Sequence, residues 1–261
     1  MILLMGGTRD ARRMVAIIRE ALPATKIVAT VVSTYGAELL RQQGGCEVLV
    51  QALDCEQLLQ LIKERQIKVL LDATHPFAAA ASAQACAAAQ AAGIYYLRYE
   101  RPGCELESTD GVYFAPDFPT AARQAARKGR VVFLTIGTRH LAECLEVLKP
   151  EACEVVARIL PVEKSLQHCL SLGLLPKQIV ALQGPASAEL NAALFREYGA
   201  DVVISKESGA AGGTPEKVAA AQDCNIPIII VQRPEPIEEK STPAEIVAAL
   251  QKVYRNKENG R

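Results

Sequence analysis

Several short stretches of this chain gather residue types that bind anions or move protons. Asp72-Ala73-Thr74-His75-Pro76-Phe77 brings a carboxylate, a hydroxyl and an imidazole together. His75 can donate a proton or a hydrogen bond near neutral pH, and Pro76 restricts it to extended geometry. Ser205-Lys206-Glu207-Ser208-Gly209-Ala210-Ala211-Gly212-Gly213-Thr214-Pro215 sets a lysine ahead of small residues, whose backbone N–H groups suit an anion. Lys206 can hold a carboxylate or steady a developing negative charge, and Thr214 and Pro215 fit the cap and first position of a helix. Gly6-Gly7-Thr8 follows the apolar run Ile2-Leu3-Leu4-Met5 and precedes a helix from Arg9. A strand, a glycine turn and a helix N-terminus in that order form an anion site, because free N–H groups and the helix dipole both favour negative charge.

Three more stretches extend the list. Ser33-Thr34-Tyr35-Gly36 lacks the acid that an NAD site usually places there for the ribose hydroxyls. Ser33 and Thr34 can donate to a phosphate, Arg9 or Arg12 can add charge, and if a dinucleotide binds the missing carboxylate favours NADP over NAD. Arg98, Glu100 and Arg101 offer guanidinium forks to carboxylates or phosphates. Ile136-Gly137-Thr138-Arg139-His140 repeats the strand, glycine, helix-start order, with Arg139 able to reach an anion. Each stretch also has a plain structural reading. Ser33 or Thr34 can simply cap a helix, His75 can sit in a turn, the arginines can form an interdomain salt-bridge patch, and 205–215 can be a surface loop. Asp10, in the first turn after the glycines, would repel a phosphate if it faced one.

Other chemistries are excluded. The G-x-x-x-x-G-K-[ST] phosphate loop, the G-x-S-x-G elbow and the H-E-x-x-H zinc motif are all absent. Eight cysteines form no C-x-x-C pair, and the three histidines do not flank them at ligand spacing, so neither a disulfide nor a protein-ligated metal is expected. Lysine plus arginine equals aspartate plus glutamate at 29 each, which argues against nucleic acid and against a polybasic membrane surface. The alanine-rich run 78–92 carries Ser82, Gln84 and Gln90 and reads as a packed helix, not a membrane span. Arg9 arrives too early for a secretory signal, so a cytoplasmic protein is expected.

The elements that must position these stretches alternate. Strand patterns at 2–5, 26–32, 46–50, 68–72 and 95–98 are separated by helical ones. After Arg101-Pro102-Gly103 a polar stretch, 104–111, marks a boundary. Alternation then restarts at 112–115 and continues through strands at 131–136, 154–159, 178–182, 201–205 and 227–231 to a last helix at 243–254. The charged tail 255–261 reads as frayed. Strands alternating with helices imply right-handed crossovers and parallel sheets. The expectation is an α/β protein of two Rossmann-like, doubly wound parallel-sheet domains, 1–101 and 102–261, with a ligand cleft between them.

Gly6-Gly7-Thr8, Asp72-Ala73-Thr74-His75-Pro76-Phe77-Ala78, Arg98-Tyr99-Glu100-Arg101-Pro102, Gln183-Gly184-Pro185, Ser205-Lys206-Glu207-Ser208-Gly209 with Gly212-Gly213-Thr214, and Gln232-Arg233-Pro234 together resemble the precorrin-6A reductase family of cobalamin biosynthesis. The motifs occur in the family's order over nearly the whole chain. The resemblance implies an oxidoreductase that uses NADPH to reduce one double bond (a CH–CH product) of a tetrapyrrole macrocycle. It also implies contacts for hand-over to other enzymes of the pathway. The chain looks more like the anaerobic, cobalt-loaded branch than the metal-free one.

On that reading Gly6, Gly7, Thr8, Arg9, Ser33, Thr34, Thr74 and His75 bind NADPH in domain 1–101. Arg98, Arg101, Arg139, Lys206, Ser208, Gly209, Gly212, Gly213 and Thr214 bind the macrocycle's acid arms, with Arg233 also at a strand end. His75 and Lys206 are the candidate catalytic residues. Alternatives are an NADPH reductase of another C=C or C=N substrate, and a regulator that senses NADP without turnover.

Overall fold

The structure, a computed structural model, describes residues 1–104, 109–235 and 240–255. The tail beyond Arg255 and residues 105–108 of the polar stretch lie outside the described residues. The described chain divides into two units, Met1–Arg101 with Pro234–Arg261, and Pro102–Arg233.

In the first unit, apolar runs become buried strands and amphipathic runs become the helices that cover them. The elements are β1 (Ile2–Met5), α1 (Arg9–Ala21), β2 (Ile27–Val31), α2 (Thr34–Gln43), β3 (Glu47–Val50), α3 (Cys55–Glu64), β4 (Val69–Asp72), α4 (Ala79–Ala92), β5 (Tyr95–Tyr99), and at the far end of the chain β12 (Lys240–Ser241) and α10 (Pro243–Arg255). The strand order is β12-β5-β4-β1-β2-β3, and every pairing is parallel. Successive side chains of β1 point to opposite faces. Ile2 and Leu4 pack with Met14, Val15 and Ile18 of α1 and with Ile246 and Leu250 of α10. Leu3 and Met5 pack with Leu58 and Ile62 of α3 and with Ala85, Ala88 and Ala89 of α4. The alanine helix is therefore a close-packing helix: small side chains let it lie near the sheet.

The second unit repeats the plan. Its elements are β6 (Val112–Ala115), α5 (Phe118–Ala126), β7 (Val131–Leu134), α6 (Leu141–Leu148), β8 (Glu154–Ile159), α7 (Glu163–Ser171), β9 (Ile179–Ala181), α8 (Ala188–Glu197), β10 (Val202–Lys206), α9 (Thr214–Asp223) and β11 (Ile228–Val231). The order is β6-β11-β10-β7-β8-β9, again all parallel. Phe133, Val156 and Val203 pack under Ala192 and Phe195 of α8 and Ala220 of α9. Each sheet has a switch point, where the strand order reverses and a crevice opens beyond the carboxyl ends. It lies between β1 and β4 in the first unit and between β7 and β10 in the second. The α/β, doubly wound expectation holds for both units.

The expected second domain, 102–261, differs from the observed unit over its last stretch. Residues from Pro234 onward cluster with the first unit. β12 adds to the edge of β5, pairing Lys240 with Arg98 and Ser241 with Tyr99, and the Lys240 ammonium meets Glu100 at 2.7 Å. The apolar face of α10 then completes the core above α1. Among the described residues no helix is long and apolar enough to cross a membrane.

Because Ile246 is wholly buried in the first core, Ile246→Ala should destabilise that unit by about 2–5 kcal/mol. Amide exchange read segment by segment should show the loss in 1–101 and leave 109–233 unchanged. Equal loss in both units would contradict the assignment of α10.

Candidate functional site

The first switch point is built around a glycine. Gly6 has φ +136°, and a Cβ there would lie 2.5 Å from the Ala73 carbonyl oxygen and 2.9 Å from its carbon. Only glycine lets the loop after β1 lie against the loop after β4. Beyond it, Thr8 is the N-cap of α1 but makes no capping bond; its hydroxyl faces the Ala73 carbonyl at 3.5 Å. The Thr8 side chain does not cap the first turn, and among the described residues no side chain is seen to accept its first N–H groups. This arrangement fits an anionic group: a glycine turn without side chains and an uncapped helix N-terminus.

Asp10 sits in that first turn, 6 % exposed. It does not confront an incoming anion as an unpaired charge. Arg101, two residues beyond β5, places its NH1 2.5 Å from Asp10 Oδ2. The same guanidinium contacts His75 Nε2 through NH2 at 3.4 Å. The Phe77 N–H reaches His75 Nδ1 at 3.2 Å. A neutral imidazole has one acceptor nitrogen, so these two contacts belong to alternative tautomers. His75 is therefore held between the β4 loop and Arg101, with its ring half-buried.

Asp72, fully buried at the end of β4, organises the same loop. It accepts from the Thr74 N–H at 2.9 Å and the Tyr96 hydroxyl at 2.9 Å, and it pairs with Arg98 NH1 at 2.9 Å. Burial first, and the Asp72 carboxylate second, push the Tyr96 phenol above its usual range, so Tyr96 remains a donor. Arg98 also donates to the Thr74 hydroxyl at 3.0 Å and carbonyl at 3.2 Å, and pairs with Glu100 at 3.1 Å. The two arginines expected at the macrocycle are thus buried here as internal counter-ions. Arg98 shapes the Thr74 turn, and Arg101 neutralises Asp10.

The loop after β2 lies on the other side of the turn. Ser33 caps α2, accepting the Gly36 N–H at 3.1 Å. Ser33, Thr34 and Arg9 are all exposed. Val32 is 70 % exposed and Tyr35 is also open to solvent, an apolar surface beside the hydroxyls. Gly36 backs onto Gly7, since a Cβ on Gly36 would lie 3.2 Å from the Gly7 carbonyl oxygen. Gly6, Gly7, Thr8, Arg9, Ser33, Thr34, Thr74 and His75 therefore line one edge of the first sheet.

The second switch point carries Lys206, Ser208, Gly209, Gly212, Gly213 and Thr214. The loop is ordered by its own hydrogen bonds. The Thr214 hydroxyl accepts the Ser208 N–H at 3.1 Å and donates to the Lys206 carbonyl at 3.3 Å. The Ser208 hydroxyl donates to the Gly212 carbonyl at 3.3 Å, and the Lys217 ammonium caps the same carbonyl at 3.0 Å. Glu207, not singled out by the sequence reading, accepts the Cys104 and Gly209 N–H groups at 3.0 and 2.9 Å and pairs with Arg233. Ser208, Thr214 and Arg233 thus hold the loop's shape, while Lys206 is half-buried at the strand end. Gly213 has φ +72°, which disfavours a side chain, and a Cβ there would lie in tight contact, 3.1 Å from the Pro185 Cβ. The loops carrying Gly184-Pro185 and Gly212-Gly213 therefore touch. In the loop after β7, Arg139 is exposed, while His140 stacks on Phe118 with ring centroids 4.0 Å apart.

Comparison with known proteins points in one direction. The family described as precorrin-6x reductase CbiJ/CobK matches residues 1–251. A cobalt-precorrin-6A reductase of Methanothermobacter thermautotrophicus is 40 % identical over 237 residues, covering 90 % of this chain and 76 % of that protein. A cobalt-precorrin-6A reductase of Priestia megaterium is 38 % identical over 236 residues, covering 90 % of this chain and 91 % of that one. Among solved structures, a CobK precorrin-6A reductase superposes with a TM-score of 0.76 over 96 % of both chains at 23 % identity, a likeness of fold.

The ion pair beneath the first switch point makes its own prediction. Arg101→Gln leaves the Asp10 carboxylate buried without its partner and should cost about 3–5 kcal/mol in urea unfolding. Asp10→Asn combined with Arg101→Gln should recover most of that loss. A double variant no more stable than Arg101→Gln would show that Arg101 does not serve Asp10.

Proposed function

The chain belongs to the precorrin-6x reductase family, and on that premise we propose that it is an NADPH-dependent precorrin-6A reductase acting on the cobalt-loaded macrocycle. The observation that carries the cofactor half is the Gly6 turn: it lies on the backbone of the β4 loop and leads into a helix start that no side chain caps. The Gly6-Gly7 turn and the first N–H groups of α1 receive the pyrophosphate. Arg101 supports that role by neutralising Asp10, so no net negative charge stands in the turn. Arg9, Ser33 and Thr34 offer a cation and two hydroxyls, with no acid between them, to an additional phosphate on the ribose. The cobalt form is favoured because the two curated relatives described above are both cobalt-precorrin-6A reductases.

When bound, the reduced nicotinamide supplies the hydride for one double bond of the macrocycle. The chain's own residues orient the reactants, exclude water and provide a proton. His75 is the proposed proton donor. In the tautomer that accepts the Phe77 N–H on Nδ1, the ring hydrogen resides on Nε2, where it is available for donation and the Arg101 hydrogen bond is not made. Thr74, fixed by Asp72 and Arg98, sets the backbone from which His75 projects. In the second unit Lys206 is the proposed partner of a substrate carboxylate or of charge developing during reduction. Beside it the Gly209, Gly212 and Gly213 N–H groups are committed to Glu207 and to the Gly209 and Ala210 carbonyls, so these glycines shape the 207–214 loop, and Arg139 adds an exposed cation.

Anaerobic absorbance at the NADPH band, with cobalt-loaded and metal-free precorrin-6A compared, tests this reading. Oxidation that is faster with the cobalt form is expected. Oxidation only with the metal-free form would overturn the branch, and none with either would overturn the reductase. At saturating NADPH, His75→Ala should lose turnover by about 100-fold or more. Unchanged turnover would remove His75 from the proton transfer.

A further inference from the structure

Arg158 is a buried cation with no anion against it among the described residues. It is the last residue but one of β8 and only 8 % exposed. Among the described residues its one hydrogen-bond acceptor is Asn191 Oδ1, at 2.6 Å, and no carboxylate pairs with it. Asn191 is itself wholly buried, and its amide donates to the Ala186 and Ser187 carbonyls at 3.0 and 2.7 Å. That fixes the Asn191 oxygen toward Arg158 as a neutral prop. Arg98 and Arg101, the other buried arginines, each lie against a carboxylate. A guanidinium has five N–H donors, and burying it unpaired is costly. Burial is also what lowers the Arg158 pKa, and no neighbouring charge offsets it.

Its position is equally specific. Leu134 is paired with Ala157 on one side and Ile204 on the other, so Arg158 stands level with Thr135 and Ser205. Alternation puts Arg158 on the same face as Val156, the face that α8 and α9 cover. It therefore lies at the carboxyl edge, where the loop carrying Gly184-Pro185 enters α8. That loop touches the Gly213 loop. Ligands of open α/β sheets bind at this edge.

We propose that Arg158 binds a peripheral carboxylate of the macrocycle substrate, closing the charge that the folded chain leaves open. The inference rests on the tetrapyrrole reading above. A substrate bearing several acid arms supplies the missing counter-ion, and a forked guanidinium holds a carboxylate in two parallel hydrogen bonds. Sequence alone gives no sign of it, because Arg158 sits inside an ordinary strand pattern.

The test uses the full chain without NADPH, with binding of cobalt-precorrin-6A followed through the macrocycle's own absorbance. Arg158→Gln should weaken that binding by about tenfold or more, with Arg158→Lys in between, while NADPH affinity stays at the wild-type value. The ligand-free melting temperature of Arg158→Gln should be unchanged or higher, since an unpaired buried charge has been removed. Equal macrocycle affinity in wild type and Arg158→Gln would overturn this inference alone. Joint loss of macrocycle and NADPH binding with a lower melting temperature would also overturn it, by assigning Arg158 a structural role. Wild-type protein that binds no macrocycle would overturn the tetrapyrrole reading and this inference with it.

Discussion

The first unit depends on one close approach, the α-carbon of Gly6 against the carbonyl of Ala73. Because no side chain stands there, the loops after β1 and β4 meet across the switch point. Thr8 then enters α1 facing the Ala73 carbonyl, and Gly7 lies against Gly36 of the next loop. Three loops that are remote in sequence thus share one edge. The buried strands below hold that edge still, since Ile2, Leu4, Leu3 and Met5 lock β1 between helices on both faces. A rigid sheet with mobile chemistry at its carboxyl edge is the general solution of open α/β proteins.

Charge is arranged by the same logic. The two buried arginines near the first edge, Arg98 and Arg101, are both paired with acids of the protein itself. Arg98 serves Asp72 and Glu100, and Arg101 serves Asp10. These pairs turn local acidity into shape: the Thr74 turn, the His75 position and a neutral helix start. In the second unit Glu207 does the reverse, an acid gathering N–H groups and Arg233 to brace the 207–214 loop. Among the described residues, buried Arg158 has the neutral Asn191 and no carboxylate as its partner.

Much of the fold was legible because apolar runs alternate with amphipathic ones, and because uninterrupted apolar strands imply cover on both faces. The glycine turn, the β4 loop and the Lys206 loop were legible as types at strand ends. Three things were not. The apolar stripe of α10 says that it must be covered, not by which core, so its return to the first unit was invisible. The strand that precedes it, Lys240–Ser241, is two residues long and has no period to read. The roles of Arg98 and Arg101 were also hidden, since a guanidinium fork suits a substrate acid and a protein acid equally. Asp10 lies 91 residues from Arg101, and only the folded chain brings them together.

The most direct measurement is amide exchange of the full chain titrated with NADPH and, separately, with NADH. Protection confined to 6–11, 33–36 and 73–75, and reached at lower concentration with NADPH, is the expected result. Protection in the second unit with none at 6–11, or equal response to both nucleotides, would contradict a phosphate site built on Gly6 and an NADPH preference built on Arg9, Ser33 and Thr34.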